Sequence, residues 1–231
     1  MPTAGVRRSL KQPVAGLILA AALLCVLVLL AAAVQNRWAP VETLDHAVSQ
    51  ALQNAVEAQP WLVSVMQVIS DLGGQVAWWT VHTVTVVVLL FLRRFRDALF
   101  VAVTAGGGGA LTTAVKFWVG RARPEWPDPV SWSEGFAFPS GHTTGTAIGV
   151  TVLLVILRPH LSAGWGWALT GFGVVMVIAV GASRVVLGVH WVSDVLGGLL
   201  FAAAWLLIML AVFRKPERTQ HDADEAQPPA P

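Results

Sequence analysis

Three short polar segments carry residue types that could act together on a phosphate. They are Lys116 with Arg123-Pro124, then Pro139-Ser140-Gly141-His142, then Ser183-Arg184 with His190 and Asp194. Each lies at the end of a long apolar stretch, and an ionisable group inside a membrane segment is costly enough to point to function by default. Lys116, Arg123 and Arg184 supply the positive charge that phosphate oxygens need, the arginines as planar forks and the lysine as a compact point. Pro139 suits the first turn of a helix, where no backbone donor is required. The free amides of such a helix start bind anions, Gly141 permits close backbone approach, and Ser140 adds a hydroxyl. His190 precedes Asp194 by four residues, which predicts both on one helix face. A carboxylate bonded to one ring nitrogen fixes the tautomer and leaves the other nitrogen free to attack. His142, with no carboxylate beside it in sequence, is the candidate proton donor to a leaving oxygen, a role worth about 10² to 10⁴ in rate. No carboxylate cluster stands ready for a metal, so the chemistry is expected to need neither metal nor cofactor.

The elements that hold these segments must be membrane helices. Of 231 residues, 55% are hydrophobic and 12% charged, which excludes an ordinary water-soluble domain. Scattered basic residues and a formal charge of only +2 argue against nucleic acid. Six apolar runs predict an all-α bundle of transmembrane helices at Val14–Val34, Val76–Leu92, Ala98–Val119, Thr143–Leu157, Trp165–Leu187 and Val189–Phe213. The fourth reaches a spanning length of roughly 17 residues only if its helix begins near Pro139. The first exceeds the usual 7–15 residues of a signal-peptide core, so it reads as a retained anchor, although Ala31-Ala32-Ala33 imitates a cleavage site. Residues 1–218 are expected to form one membrane domain, followed by an acidic, proline-rich, disordered tail at 219–231.

Ten of the 15 basic residues fall on the termini and alternate loops: Arg7, Arg8, Lys11, Arg93, Arg94, Arg96, Arg158, Arg214, Lys215 and Arg218. That bias predicts both termini in the cytoplasm and all three polar segments on the outer face. Four of the five remaining cations, Lys116, Arg121, Arg123 and Arg184, belong to those segments; the fifth is Arg37. Val41, Leu44, Val48, Leu52 and Val56 recur at helical spacing. They predict a helix over Val41–Glu57 that either lies on the outer membrane surface or caps the bundle. Trp61–Leu72 is too short to cross alone and ends at Gly73-Gly74, as an interfacial approach to the second span would.

Lys116-x6-Arg123-Pro124, Pro139-Ser140-Gly141-His142 and Ser183-Arg184-x5-His190-x3-Asp194 resemble the three signature motifs of the type 2 phosphatidic acid phosphatase superfamily. That family includes lipid phosphate phosphatases and bacterial undecaprenyl pyrophosphate phosphatases. The resemblance implies a multi-pass enzyme of the cell membrane with an extracytoplasmic active site. Its substrate would be a lipid phosphate or pyrophosphate such as phosphatidate, phosphatidylglycerol phosphate or undecaprenyl pyrophosphate. It further implies that His190 is the nucleophile and forms a phosphohistidine, that Asp194 orients it, and that His142 protonates the leaving group. Lys116, Arg123, Ser140, Gly141 and Arg184 would hold phosphate. Val192 departs from the pattern, since many relatives carry proline there, and this bears on where the last helix starts. Arg121 lies in the variable stretch of the first motif, where it either assists with phosphate or faces lipid headgroups. The competing readings are a phosphotransferase with the same intermediate and a non-catalytic membrane protein that binds anionic lipid.

Other chemically capable residues read more plainly. Cys25 is expected to be a small buried hydrophobe. His46, His82, His160 and His221 are expected to snorkel or cap, with His82 singled out by its place within the second span. Gly106–Gly109 lacks the lysine of a phosphate loop and is expected to allow close helix packing, as are Gly141, Gly145 and Gly149 at four-residue spacing. Selectivity is expected to come from the lipid-facing walls and the Glu125–Phe138 loop.

Overall fold

Each long apolar run forms a helix, because in lipid a helix satisfies its backbone polar groups within one segment. The computed structural model describes residues 4–214, with side chains from Val14 onward; the expected tail at 219–231 lies outside the described residues. Within them the helices run α1 (Ala4–Gln35), α2 (Ala39–Ala58), α3 (Trp61–Leu72), α4 (Gln75–Phe91), α5 (Phe95–Val119), α6 (Gly141–Leu157), α7 (Ala163–Val186) and α8 (Val192–Val212). Among the described residues there is no strand. Among the described residues six segments are long and apolar enough to cross a membrane, the second being α3 and α4 together, Trp61–Phe91. Trp61–Leu72 is therefore the first part of the second span, broken from the rest at Gly73-Gly74.

Lipid-facing surface and packed interior divide each helix. Leu17, Ile18 and Leu29 of α1 are exposed, while Ala20, Leu27, Ala31 and Val34 pack inward, with Phe201 of α8 and Phe138 joining the cluster. Cys25 is exposed, not buried as expected, because α1 uses only that inward stripe for packing. At the opposite end of the bundle from the three polar segments, Arg94 meets His160 at 3.1 Å and Arg96 donates to the carbonyls of Phe213 and Arg214. The arginines of the alternate loops thus gather at one end and the polar segments at the other.

Three local departures from the predicted elements bear on the site. The fourth helix starts at Gly141, with Ser140 as its N-cap, so Pro139 lies just outside it and not in the first turn. Its 17 residues are extended by a 3₁₀ turn at Arg158–His160, which supplies the missing length. The last helix starts at Val192 and not at Val189, because Gly188 turns the chain with φ +70 just after α7. A side chain there would also strike the indole of Trp126 and the amide of Gln53, at 2.7 and 2.9 Å from a built Cβ, so only glycine fits.

The helix over Val41–Glu57 is present as part of α2, but its buried face is rotated from the apolar stripe toward the neighbouring polar one. Asp45, Ser49, Gln53 and Val56 point inward, and Leu44 is exposed. Gln53 donates to the carbonyl of Val186, and Asp45 reaches Ser193 at the start of α8. α2 therefore caps the bundle largely through polar side chains, with Val56 buried beside them and Leu44 of its apolar stripe left exposed.

Candidate active site

The site is built where four chain segments meet: the end of α5 with the following loop, the start of α6, the end of α7, and the start of α8. Glycines on α8 make the approach possible. A Cβ on Gly197 would lie 2.5 Å from the Phe138 ring, and one on Gly198 would lie 2.9 Å from the Ser140 carbonyl. The Ser140 amide in turn donates to the carbonyl of Asp194 at 2.9 Å, which ties the second motif to the third.

His190 lies in the short connection before α8, so it and Asp194 do not share a helix face as the four-residue spacing suggested. They meet through the helix cap. Asp194, at the third position of α8, accepts from the Trp191 amide at 2.9 Å and from His190 Nδ1 at 3.2 Å through the same Oδ2. The capping carboxylate of a helix start thereby becomes the orienting carboxylate of an imidazole. His190 is held from the other side too, since its amide and that of Val189 both reach the carbonyl of Arg184.

The protonation of His190 follows from its partners. Arg123 Nη1 lies 3.1 Å from His190 Nε2. A guanidinium has donors only, so Nε2 must carry the lone pair and Nδ1 the hydrogen that bonds Asp194. Burial pushes the imidazole down from 6.5 to about 4, against the upward pull of Asp194, so the ring is neutral near pH 7. A neutral imidazole with its free electron pair directed at a cation-lined space is a poised nucleophile.

The cations in front of His190 are held by carbonyl oxygens. Lys116 Nζ donates to Phe136 at 2.8 Å and Ala137 at 3.3 Å. Arg123 donates to Gly135 at 2.9 Å, Glu134 at 2.9 Å and Val189 at 2.7 Å. With Gly141 and His142, these residues line a cavity of about 750 Å³. His142 makes no side-chain hydrogen bond among the described residues and so can serve a ligand. Ser140 and Arg184 do not line this wall. The Ser140 hydroxyl accepts from the Thr143 hydroxyl at 3.0 Å and sits at the helix cap. Arg184 is buried behind the wall and donates to Ser70 of α3, with its Nε lacking a partner. Ser183 bonds back to the Val180 carbonyl.

Arg121 takes neither role expected for it. Its Nη1 bonds Asp194 Oδ1 and Ser193 Oγ, and its Nη2 bonds Asp45 Oδ2, each at 2.6 Å. Asp45, 1% exposed, also accepts from the Ser193 amide and hydroxyl. Sequence reading missed Asp45 entirely. The only available signal was its spacing with Ser49 and Gln53, three polar residues four apart on one helix face.

Below the phosphate end, the cavity runs between α4, α5 and α6. Gly106 and Gly109 line it, while Gly107 and Gly108 pack against Trp205 and Ile148. The tetraglycine thus packs on one side only. Gly149 packs closely on Trp78 as expected, but Gly145 faces open space and Gly141 has only Lys116 nearby. His82 neither snorkels nor caps: it is 6% exposed, lines the cavity, and stacks on Trp78. His46 packs edge-on against Trp191, and His221 lies outside the described residues.

The bundle that holds this cation-lined cavity and its carboxylate-oriented histidine matches known proteins in sequence and in fold. The sequence profile of the PAP2 superfamily matches residues 97–218. The chain belongs to the PAP2 superfamily. Within it the chain falls among the membrane-embedded lipid phosphatases. It is 35% identical to phosphatidylglycerophosphatase B of Bacillus subtilis over 79% of this chain and 87% of the relative. It is 28% identical to undecaprenyl-diphosphatase of Sulfolobus acidocaldarius over 63% of this chain and 65% of that protein. The crystal structure of a transmembrane PAP2 type phosphatidylglycerolphosphate phosphatase from Bacillus subtilis superposes with TM-score 0.72 at 30% identity, covering 90% of this chain and 97% of that one.

Proposed function

We propose that this PAP2 protein hydrolyses lipid phosphate or pyrophosphate monoesters at the extracytoplasmic face of the cell membrane through a phosphohistidine. One observation carries the reading: Arg123 donates to His190 Nε2, which assigns the lone pair to the nitrogen that faces the cavity. In the first step that lone pair attacks phosphorus as Arg123 releases it, and the bond from phosphorus to the leaving oxygen breaks. His142 gives that oxygen its proton. Lys116, Arg123 and the amides at the start of α6 stabilise the charge spread over the equatorial oxygens, with Arg184 adding its field from behind. In the second step water attacks the phosphohistidine, His142 takes the water's proton, and inorganic phosphate leaves. The Nδ1 hydrogen stays on its bond to Asp194 throughout. The basic loops at the opposite end support the outward orientation.

The test is phosphate release from a panel of lipid phosphates and pyrophosphates by the purified protein in chelator and without any acceptor. Release is expected, and brief reaction with labelled substrate is expected to leave an acid-labile, alkali-stable label at His190. Transfer seen only when an acceptor alcohol is supplied would replace this reading with a phosphotransferase. Membrane-impermeant maleimide should label an Asp128→Cys variant of a Cys25→Ala background in intact cells; protection there would reverse the orientation.

A further inference from the structure

We propose that His82 is a specificity-determining residue, whose ring hydrogen-bonds an acyl-ester oxygen of a glycerolipid substrate at the deep end of the cavity. The proposal rests on the phosphatase reading above and adds the feature of the lipid that is read. His82 is 6% exposed and lines the cavity; its Nε2 is enclosed without a hydrogen-bond partner, and no hydrogen bond engages the other ring nitrogen among the described residues, which leaves that nitrogen for a ligand. A buried polar atom without a partner is destabilising unless something supplies one. The ring is already positioned, because it stacks on Trp78 at 5.8 Å between centroids, and Trp78 is pinned by a bond to Thr146 and by contact with Gly149.

The other polar groups around the middle of the cavity are already engaged. Thr112 and Thr113 donate to the carbonyls four residues earlier, and Thr144 donates to Ser140. Its remaining deep walls are Ala105, Gly106, Gly109, Gly145 and Ile148. His82 is therefore a single polar spot on an otherwise small and apolar surface.

Depth identifies what meets it. The α5 wall of the cavity extends from Lys116 to Ala105, about 16 Å at the helical rise. α4 runs antiparallel to α5, so His82, the last α4 residue on the wall, belongs to the Ala105–Gly109 end. A prenyl diphosphate has only hydrocarbon there. In a phosphatidate the ester carbonyl carbons lie about five bonds from phosphorus, roughly 6 Å, and stop short of His82. A lipid with a further glycerol phosphodiester, as in phosphatidylglycerol phosphate, places its esters about eleven bonds away, roughly 14 Å when extended. That length matches the cavity. An ester carbonyl would accept from the imidazole N–H, and the acyl chains would leave past the exposed Trp79 and Ala110.

The experiment compares phosphatidylglycerol phosphate with ester-linked and with ether-linked chains, and adds farnesyl diphosphate as an apolar control, in mixed micelles. Wild type is expected to show a KM about tenfold lower for the ester lipid than for the ether lipid, with similar kcat, as one lost hydrogen bond gives. His82→Leu should raise KM for the ester lipid about tenfold, leave the other two unchanged, and retain kcat. His82→Gln, which keeps a donor, should recover part of the difference. Phosphate release by wild type from any of the three upholds the phosphatase reading by itself. Equal KM values for ester and ether lipids in wild type would then overturn the His82 assignment alone, with no variant needed. A His82→Leu change that affects all three substrates equally would also overturn it, since that is what a purely structural role predicts.

Discussion

The two arginines of the first motif, Arg121 and Arg123, serve opposite ends of the His190 imidazole and are bonded in different ways. Arg121 works behind the ring, where its guanidinium bridges two buried carboxylates, Asp45 and Asp194. Arg123 works in front, bonded to four backbone carbonyls and to Nε2 itself. Behind the ring, charge is matched to charge and the geometry is closed. In front, positive charge meets only neutral oxygens, whose hold on a cation is weaker than a phosphate's. Two residues apart in sequence, one arginine is structural and the other is available to a ligand. What separates them is which groups pair with them: α2 delivers the Asp45 carboxylate to Arg121 at the rear, whereas Arg123 pairs with no carboxylate among the described residues.

The largest effect should come from removing the ring that divides the two regions. His190→Ala is expected to lower kcat by at least about three orders of magnitude in the phosphate-release assay, as loss of a nucleophile does. Turnover near the wild-type level would mean that the front and rear regions are not organised around this residue.

A smaller effect should come from loosening the rear alone. Asp45→Asn keeps the shape but removes a charge from Arg121 and weakens its grip on Asp194. A charge-assisted hydrogen bond contributes about 1.5–3 kcal/mol, so kcat is expected to fall about 10- to 100-fold with KM nearly unchanged. A rise in KM with kcat intact would place Asp45 on the substrate side and dissolve the distinction between the two regions.

Titration gives a third measurement of the same divide. Burial lowers the affinity of His190 for a proton and Asp194 raises it, with burial prevailing. In ¹⁵N-histidine spectra, assigned with His190→Ala, the ring should titrate near about 4 and not near the ordinary 6.5. The unfolded chain binds that proton at higher pH than the folded one, so this group's contribution makes stability decline as pH falls from about 6.5 toward 4. A midpoint at 6.5 would show that the ring is solvated and the rear network open.

The motifs were legible in sequence because each puts its chemistry next to a helix end: Lys116 near the end of α5, Gly141 and His142 at the start of α6, Asp194 in the first turn of α8. Hydropathy found those ends to within a few residues. Asp45 was hidden because the apolar residues of α2 repeat at helical spacing and suggested the buried face, whereas that face is turned toward Asp45, Ser49 and Gln53 and takes only Val56 fully from the stripe. Its partners, Arg121 and Ser193, are 76 and 148 residues away, a separation that periodicity cannot see. The cavity was hidden for a similar reason. Glycines at 106–109 look alike in sequence, and only the placement of Trp205 decides which of them pack and which leave space.

The smallest effect should come from Val192, where the family resemblance leads to an expectation of proline. Val192 is the first residue of α8, a position whose amide has no intrahelical acceptor, so proline removes no ladder bond. Proline also restricts the residue before it to extended backbone, and Trp191 already has φ −80 and ψ 158. Val192→Pro is therefore expected to change unfolding stability by less than about 1 kcal/mol and to leave kcat within about twofold. Val195→Pro, one turn further on, removes the bond from its amide to Trp191 and should cost about 3 kcal/mol or more. If Val192→Pro lost most of its activity, the cap would not be what orients His190. The link from Asp194 through Trp191 to His190, on which the rear region depends, would then have to be abandoned.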